Sequence, residues 1–350
     1  MRDTIDNSAA GSKAAQQAIA RWLLVCCALV FAMVVLGGVT RLTGSGLSIA
    51  EWRLIMDILP PMTDAEWQRV FEVYQQTPEF IKVNSDMDLQ GFKGIFWLEY
   101  LHRLLGRLLG MAFLLPMLYF VARKFITAKQ LPWYLLMLAL GGAQGLIGKV
   151  MVESGQVDTP HVSPYRLAAH LAAAFAVYAM MYWRALSLLR PVAGGSRHRW
   201  YGRTVALTVL IGVTILSGAF VAGLKAGLIY NTFPMMGVYW IPPGLMALEP
   251  GWRNIFENMT TVQFDHRLLA ISTFAMVLFY WWRARNAGFP ARAAKARNAL
   301  LHTAVLQVGL GIATLLLQVP TALAVIHQAV AMLLFTVALF MLHDLRKVPM

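Results

Sequence analysis

The chain has 350 residues, of which 58% are hydrophobic and 13% are charged, and its formal net charge is +13. Soluble globular proteins carry about 25% charged residues, so this composition excludes an ordinary soluble domain and favours an integral membrane protein. The positive charge does not indicate nucleic-acid binding, because most bases lie in short loops between apolar runs, the distribution that orients membrane proteins.

Apolar runs of about 18 or more residues are typical of membrane-spanning helices. The chain contains eight such runs, at residues 22–40, 104–122, 131–149, 167–189, 204–224, 267–283, 299–319 and 321–342. Most of the 30 bases lie in the N-terminal segment, in the loops after the second, fourth and sixth runs, and in the C-terminal tail. This bias predicts cytoplasmic termini, with the longer loops on the periplasmic side of a bacterial inner membrane.

Two of the longer loops carry features of their own. In the loop 41–98, Thr63 and Glu66 form a capping box, and apolar residues then recur at helical spacing: Trp67, Val70, Phe71 and Tyr74. This pattern predicts a surface helix with one apolar face, lying on the membrane or over a site. The loop 225–265 is rich in glycine, proline, methionine and aromatic residues, and we interpret it as a second lid.

Three motifs occur twice in the same order, at offsets of 164, 163 and 157 residues. The pairs are Glu99–Leu105 with Gln263–Leu269, Gln144–Gly148 with Gln307–Gly311, and Ala169–Ala172 with Ile326–Ala329. A nearly constant offset indicates duplication of a unit of four spans, and an even number of spans keeps both units in the same orientation.

The predicted fold is therefore an all-α integral membrane protein in which eight transmembrane helices form two tandem four-helix bundles of the same orientation. The predicted divisions are a cytoplasmic segment 1–21, an N-terminal bundle 22–190, a cytoplasmic linker 191–203, a C-terminal bundle 204–343 and a cytoplasmic tail 344–350.

Four histidines lie near the beginnings of alternate spans: His102, His170, His266 and His327. An ionisable side chain in a membrane segment is costly and indicates a functional site. Each bundle is expected to direct two imidazoles at one another, which suits axial ligation of haem iron. A single histidine would as readily bond a neighbouring carbonyl, and zinc is disfavoured because no cysteine or short-spaced histidine cluster completes its ligand set. The other histidines have no partner at the repeat offset and are interpreted as surface or interfacial residues: His161, His198, His302 and His343.

Glu99 distinguishes the two units, because it lies one helical turn before His102 whereas its equivalent, Gln263, does not titrate. This asymmetry predicts chemistry in the N-terminal bundle and electron transfer in the C-terminal one. The alternative is that Glu99 only pairs with Arg103 at the membrane surface, since i,i+4 pairs are common on helices. Nearby bases are candidates for binding haem propionates, with interfacial anchoring as their alternative: Arg41, Arg103, Arg107, Arg166, Lys225 and Arg267.

These residues stand in motifs that resemble those of haem A synthase, the membrane family that includes a mitochondrial assembly factor of cytochrome oxidase. The matching segments follow one another through nearly the whole chain: Gly38–Ser48, Glu99–Arg103, Gly106–Arg107, Gln144–Lys149, His170, Asn231–Met236, Gln263–Arg267 and His327–Gln328. The first long loop contains no cysteine pair, so the resemblance is to the mitochondrial and alphaproteobacterial subgroup.

The resemblance implies oxidation of the C8 methyl group of haem O to a formyl group, which gives haem A for cytochrome oxidase. It implies haem b as a cofactor in the C-terminal bundle and haem O as the substrate in the N-terminal bundle, with Glu99 as the catalytic residue. The expected cofactor ligands are His266 and His327 with Arg267, and the expected substrate-binding residues are His102, His170, Arg41, Arg103 and Arg107.

If histidine occupies both axial positions of the substrate haem, its iron has no open site for oxygen. This favours stepwise electron removal and attack of water on the methyl carbon, with Glu99 accepting a proton. The expected partners are haem O, haem A and the lipid bilayer, and candidate partners are haem O synthase, an electron-transfer protein, cytochrome oxidase assembly factors and a second copy of the chain.

Two rival functions share parts of this pattern. A quinol-linked dihaem b-type electron-transfer cytochrome would have the four histidines but would not need Glu99. A transporter is less favoured, because duplicated transporters place polar groups at mid-membrane, whereas the ionisable residues here concentrate near one rim.

Overall fold

The computed structural model describes residues 2–50, 59–155, 160–191 and 195–346, and these residues are almost entirely helical. Among these described residues, eight helices are long and apolar enough to cross a membrane, which confirms the predicted all-α membrane fold. They are α1 (Arg2–Leu42), α4 (Leu89–Ala122), α5 (Leu131–Glu153), α6 (Pro164–Leu189), α7 (Tyr201–Gly223), α9 (Met259–Ala284), α10 (Ala291–Leu316) and α11 (Thr321–Leu345). Shorter helices lie between them: α2 (Asp64–Gln75), α3 (Pro78–Val83) and α8 (Asn254–Glu257).

Two of the long helices begin well before the apolar runs that predicted them. Helix α4 begins at Leu89 rather than at residue 104, and α9 begins at Met259 rather than at residue 267. The extra turns contain the polar residues of the duplicated motifs, which lower the hydropathy without breaking the helix. The side chain of Asp88 accepts a hydrogen bond from the backbone N–H of Gly91 at 2.8 Å, so the longer α4 has a normal N-cap.

The helix contacts repeat in the two halves of the chain. Helices α4 and α6 both pack against α1 and against α5, and α9 and α11 both pack against α7 and against α10. The halves meet where α1 contacts α11 and where α6 contacts α7 and α11. These contacts follow the predicted division at 22–190 and 204–343, but the assignment of two separate bundles stays a prediction.

Polar contacts join the two halves within their apolar interface. The side-chain amide of Gln328 on α11 donates to the carbonyl of Val34 on α1 at 2.6 Å. The hydroxyls of Tyr178 on α6 and Thr336 on α11 lie 2.8 Å apart. Few groups in an apolar interface offer an alternative hydrogen-bond partner. These two bonds therefore set the position of α11 along its axis relative to α1 and α6.

The two ends of the helix array differ. The C-terminal ends of α1, α5, α7 and α10 lie beside the N-terminal ends of α4, α6, α9 and α11, and this end is called the histidine end. The other end carries the arginine-rich turns between helices and is called the basic end.

The predicted surface helix is α2. The hydroxyl of Thr63 and the carboxylate of Glu66 form the expected capping box. Its apolar face, which includes Trp67 and Tyr74, packs against the first turns of α4, with the ring of Trp67 5.0 Å from that of Phe96. This aromatic cluster therefore covers the part of α4 that leads to Glu99.

His343 corrects one prediction, because it is buried rather than superficial, with 2% of its surface exposed. Its Nε2 lies 3.2 Å from the hydroxyl of Ser187, and its ring meets that of Trp183 edge-on at 5.0 Å. The residue is buried because α11 packs on α6 at the basic end, a contact that local sequence does not reveal. His161 and His302 are exposed as predicted.

Candidate functional site

Each of the four membrane histidines packs against a glycine of the preceding membrane helix. The pairs are His102 with Gly37, His170 with Gly148, His266 with Gly218 and His327 with Gly311. A Cβ atom on these glycines would lie 3.2, 3.4, 3.1 and 2.9 Å from the nearest imidazole atom, closer than or at the edge of ordinary van der Waals contact. Glycine therefore provides the space in which each ring lies.

The histidines lie in two sets, one in each half. The side chains of His102 and His170 interact electrostatically, and so do those of His266 and His327. Within each set the two histidine-bearing helices contact the same two neighbours, so they lie diagonally across the space that those neighbours enclose. The four histidines are therefore grouped by half, and the sharing of one haem iron by each pair stays a prediction.

The hydrogen bonds of His266 determine which ring nitrogen carries its proton. Its Nδ1 lies 2.7 Å from the hydroxyl of Ser217, and that hydroxyl donates its single hydrogen to the carbonyl of Thr214 at 2.7 Å. The hydroxyl is left to accept, so Nδ1 of His266 is the donor. In a neutral imidazole the other nitrogen, Nε2, then presents a free lone pair, which is the form that ligates a metal.

Two other ring nitrogens lack partners in the part of the chain that the structure describes. Nδ1 of His170 and Nδ1 of His327 are buried and have no hydrogen-bond partner among the described residues. Buried polar atoms are nearly always paired, so each such nitrogen points to a missing partner. The described residues contain no cluster of three or more histidine, cysteine or acidic side chains that could hold a metal ion. Paired imidazoles without further protein ligands fit a haem iron, whose remaining ligands come from the porphyrin.

Two glutamines occupy equivalent places beside these rings. The amide of Gln144 donates to the backbone carbonyl of His170 at 3.2 Å, and Nε2 of Gln307 lies 3.3 Å from Nε2 of His327. Each glutamine lies one helical turn before the glycine that contacts the same histidine. The duplicated Gln–Gly motif thus contains one residue that contacts the histidine and one that leaves space for it.

Glu99 is buried, with 3% of its surface exposed, and its carboxylate accepts four hydrogen bonds from described residues. Nε and Nη2 of Arg103 donate to Oε1 at 3.1 and 2.6 Å. The hydroxyl of Ser48 and the backbone N–H of Ile49 donate to Oε2 at 2.8 and 2.9 Å. The pair with Arg103 that the sequence offered as an alternative does form, but it is buried rather than superficial, and it holds the segment that follows α1.

The second half contains a version of this arrangement that lacks the carboxylate. The amide of Gln263 donates to the carbonyl of Tyr230 at 3.0 Å, and Nη2 of Arg267 donates to the same carbonyl at 2.8 Å. Nη1 of Arg267 donates to the carbonyls of Thr232 and Met235 at 2.8 and 3.2 Å. In both halves, therefore, the duplicated motif that contains the histidine also binds a second segment. That segment lies directly after the preceding membrane helix.

This comparison reveals a fourth duplicated segment that sequence analysis missed. Gly37 and Gly218 occupy equivalent places at an offset of 181 residues, as do Ile49 and Tyr230. The same offset relates two 3₁₀ turns, Ser45–Leu47 and Ala226–Leu228. Each turn is preceded by a residue with left-handed φ, +67° at Gly44 and +54° at Lys225. The sequence indicated this duplication only by a Gly-Leu pair at residues 46–47 and again at residues 227–228. A match of two common residues is weak evidence by itself.

The candidate propionate-binding bases have several kinds of partner. Nη2 of Arg41 donates to the carbonyls of Ala222 and Gly223 at the C-terminal end of α7, and Nη1 of Arg166 donates to the carbonyl of Val150 near the end of α5. Both contacts neutralise the negative end of a helix dipole. Arg107 is partly buried and Lys225 is exposed. Nε of Arg267 is buried without a partner among the described residues, so this arginine retains an unused donor.

Known proteins with similar sequences fall into one family. A family model described as COX15-CtaA, cytochrome oxidase assembly protein, matches residues 20–339. The chain is 51% identical over 338 residues to a protein named Heme A synthase from Nitrosospira multiformis, with 95% of each chain covered. It is 46% identical over 348 residues to Heme A synthase COX15 of Bos taurus, with 97% of this chain and 84% of that protein covered. The human protein of the same name is 45% identical over 351 residues, with 97% and 85% covered.

Proposed function

The chain belongs to the COX15-CtaA family of cytochrome oxidase assembly proteins, and we propose that it is a haem A synthase, which oxidises the C8 methyl group of haem O to a formyl group. The main support is identity of 45–51% over nearly the whole chain to bacterial and mitochondrial proteins of that name. The proposed reaction converts one methyl group and one water into a formyl group, four protons and four electrons, and the electrons would pass to a separate electron-transfer protein. The quinol-linked dihaem cytochrome is not favoured by these relatives.

We propose that the two histidine pairs hold two haems with different roles. His266 and His327, with Arg267, would hold a resident haem b, which when bound supplies an electron-transfer centre. His102 and His170 would hold the haem O substrate, with Arg103, Arg107 and Arg41 on its propionate side. The buried Nε of Arg267 supports this assignment, since it has no partner among the described residues and is a donor that a haem propionate would pair.

A difference between the halves supports the choice of the second pair for the resident haem. Nδ1 of His266 is bonded to Ser217, whereas the equivalent position in the first half is Leu36, which has no hydroxyl. His266 also turns Cε1 toward its glycine, while His102 turns Nε2 toward Gly37. A ligand that is oriented in advance binds its metal more tightly, so the first site is suited to exchange and the second to retention.

Glu99 is proposed to accept a proton released at the reacting methyl carbon. Among the described residues its two oxygens have different partners: Oε1 is bound by the cation Arg103, whereas Oε2 accepts from the neutral donors Ser48 and Ile49. Oε2 is therefore the atom proposed to take the proton. The same carboxylate stabilises positive charge that develops on the substrate, which Gln263 at the equivalent position would do far less well.

The decisive test is the pigment content of a Glu99→Gln variant in a host that makes haem O but has no haem A synthase of its own. A glutamine retains an oxygen for Ser48 and Ile49 but turns an N–H donor toward Arg103, so unchanged haem absorbance of the variant is required to verify that it folds and binds haem. Loss of general base catalysis typically lowers rates by about 100-fold or more, so haem O should accumulate and haem A should nearly disappear. Glu79→Gln, which neutralises another buried carboxyl, is the matched control and should leave the ratio of haem A to haem O unchanged.

One outcome would contradict this function, and another would contradict the role of Glu99. Wild-type protein that carries only haem b in a host rich in haem O would favour the electron-transfer alternative. Unchanged haem A production by Glu99→Gln would remove Glu99 from the mechanism. Isotope from labelled water, rather than from labelled oxygen gas, is expected in the formyl group when later exchange is prevented.

We also propose that the basic end faces the cytoplasm, or the equivalent mitochondrial compartment, and that the histidine end faces the opposite side. The arginine-rich turns at the basic end support this orientation. The similar identities to bacterial and mitochondrial relatives leave both an inner bacterial membrane and a mitochondrial membrane compatible with this orientation.

A further inference from the structure

A cavity of about 440 Å³ lies at the basic end, between α6, α10 and α11. It is far from both histidine pairs, because its α11 residues, Thr336 to Phe340, follow His327 by nine to thirteen positions. At a rise of about 1.5 Å per residue, this separation is roughly 14 to 20 Å along the helix. Any ligand of this cavity is therefore distinct from a haem held by the histidines.

Three bases line the cavity: Arg190 at the end of α6, and Arg292 and Lys295 on α10. Arg292 and Lys295 lie three positions apart, so they project from the same face of α10, and both are exposed. Nη1 of Arg190 is paired with Asp344 at 3.0 Å. This contact compensates one charge of the three, so the cavity retains a net positive charge.

Apart from Thr336, whose hydroxyl is bonded within the helices, the rest of the lining is apolar or aromatic: Tyr182, Val337, Phe340, Ala296 and Ala299. The two alanines leave open space between α10 and the larger side chains of α6 and α11. The guanidinium of Arg190 lies over the ring of Phe340, with its carbon 4.3 Å from the ring centroid. This contact holds the base at the boundary between the charged and apolar parts of the lining.

We propose that this cavity binds an anionic glycerophospholipid, with its phosphate on Arg190, Arg292 and Lys295 and the start of one acyl chain between the apolar walls. A soluble anion would make no use of the apolar walls, and a neutral lipid would leave the bases uncompensated. Basic cavities between helices at the cytoplasmic membrane surface have the charge and depth that such headgroups require. A haem with free propionates has related chemistry, and the test distinguishes it.

The experiment compares lipid binding by haem-loaded protein in mild detergent, using native mass spectrometry. The probes are dioleoyl phosphatidylglycerol and dioleoyl phosphatidylcholine, which share acyl chains and differ in charge. The wild type should retain one phosphatidylglycerol in preference to phosphatidylcholine. The double variant Arg292→Gln, Lys295→Gln should bind phosphatidylglycerol roughly 25-fold more weakly, since each base near an anionic lipid surface contributes about fivefold in affinity.

A matched control removes two exposed bases at the same end that do not line the cavity, Arg123→Gln with Lys129→Gln, and it should keep the preference. Ala299→Leu fills the apolar part without changing charge and should also weaken binding. Equal loss in the control and in the cavity double variant would show unspecific surface attraction and overturn the proposal. So would displacement of phosphatidylglycerol by equimolar protohaem, because the bases would then serve propionates. Unchanged haem absorbance in each variant verifies folding.

Discussion

The bond between Ser217 and His266 leads to a quantitative prediction about the retention of the resident haem. Ser217→Ala removes the acceptor that lies 2.7 Å from Nδ1 of His266. Loss of such a partner behind a metal-binding histidine typically lowers metal affinity by 10- to 100-fold, or about 1.4 to 2.7 kcal/mol. The carbonyl of Thr214 also interacts with His266 and can replace part of this bond. The expected loss is therefore nearer to 10-fold.

The assay is the rate at which haem b leaves detergent-solubilised protein for excess apomyoglobin, together with the midpoint potential of the haem. Ser217→Ala should release haem about 10-fold faster, and its potential should rise because the imidazole becomes a weaker electron donor. Ser217→Thr keeps a hydroxyl and should restore both values toward those of the wild type. The reverse change, Leu36→Ser, should have little effect on the resident haem.

The result that would refute the reasoning is a wild-type release rate and potential in Ser217→Ala. Ser217 would then be a packing residue, and the retention of haem in the second half would need another cause. A faster release without a change in potential would mean that the hydroxyl shapes the cavity but does not influence the imidazole.

Two further predictions concern a glycine and a buried carboxyl. Gly311→Ala would place a Cβ 2.9 Å from Cε1 of His327 and should lower the bound haem to about one equivalent per chain. The control Gly309→Ala, whose Cβ would have no atom within 4 Å, should retain two equivalents. The pyridine haemochrome assay measures the haem content of both variants. Burial raises the pKa of Glu79 from its usual value near 4.5 to about 7, so its stabilising contribution is complete below pH 4.5 and is lost as the pH rises through 7. The protection factors of amides in residues 64–83, which are corrected for the intrinsic pH dependence of exchange, should therefore be lower at pH 8 than at pH 5, and Glu79→Gln should remove that difference; an equal pH response in the variant would assign the effect to another group. The shift corresponds to roughly 3 kcal/mol at most.

The eight membrane spans were predictable because each depends on a continuous apolar stretch long enough to cross the bilayer. The histidine pairs were predictable because duplication left similar motifs at nearly constant offsets, and a costly side chain at repeated membrane positions is rarely retained without a function. The pair between Glu99 and Arg103 was also available from sequence, since i,i+4 geometry is local to one helix.

The surroundings of these residues depended on contacts between distant parts of the chain. Ser48 and Ile49 reach Glu99 across about fifty residues, and Ser217 reaches His266 across 49. The burial of His343 depends on α6, more than 150 positions earlier. Sequence alone determined which elements form and which side chains are costly in a membrane, because both follow from local composition. Only the tertiary structure decided which donor faces which acceptor, because that depends on how the helices pack.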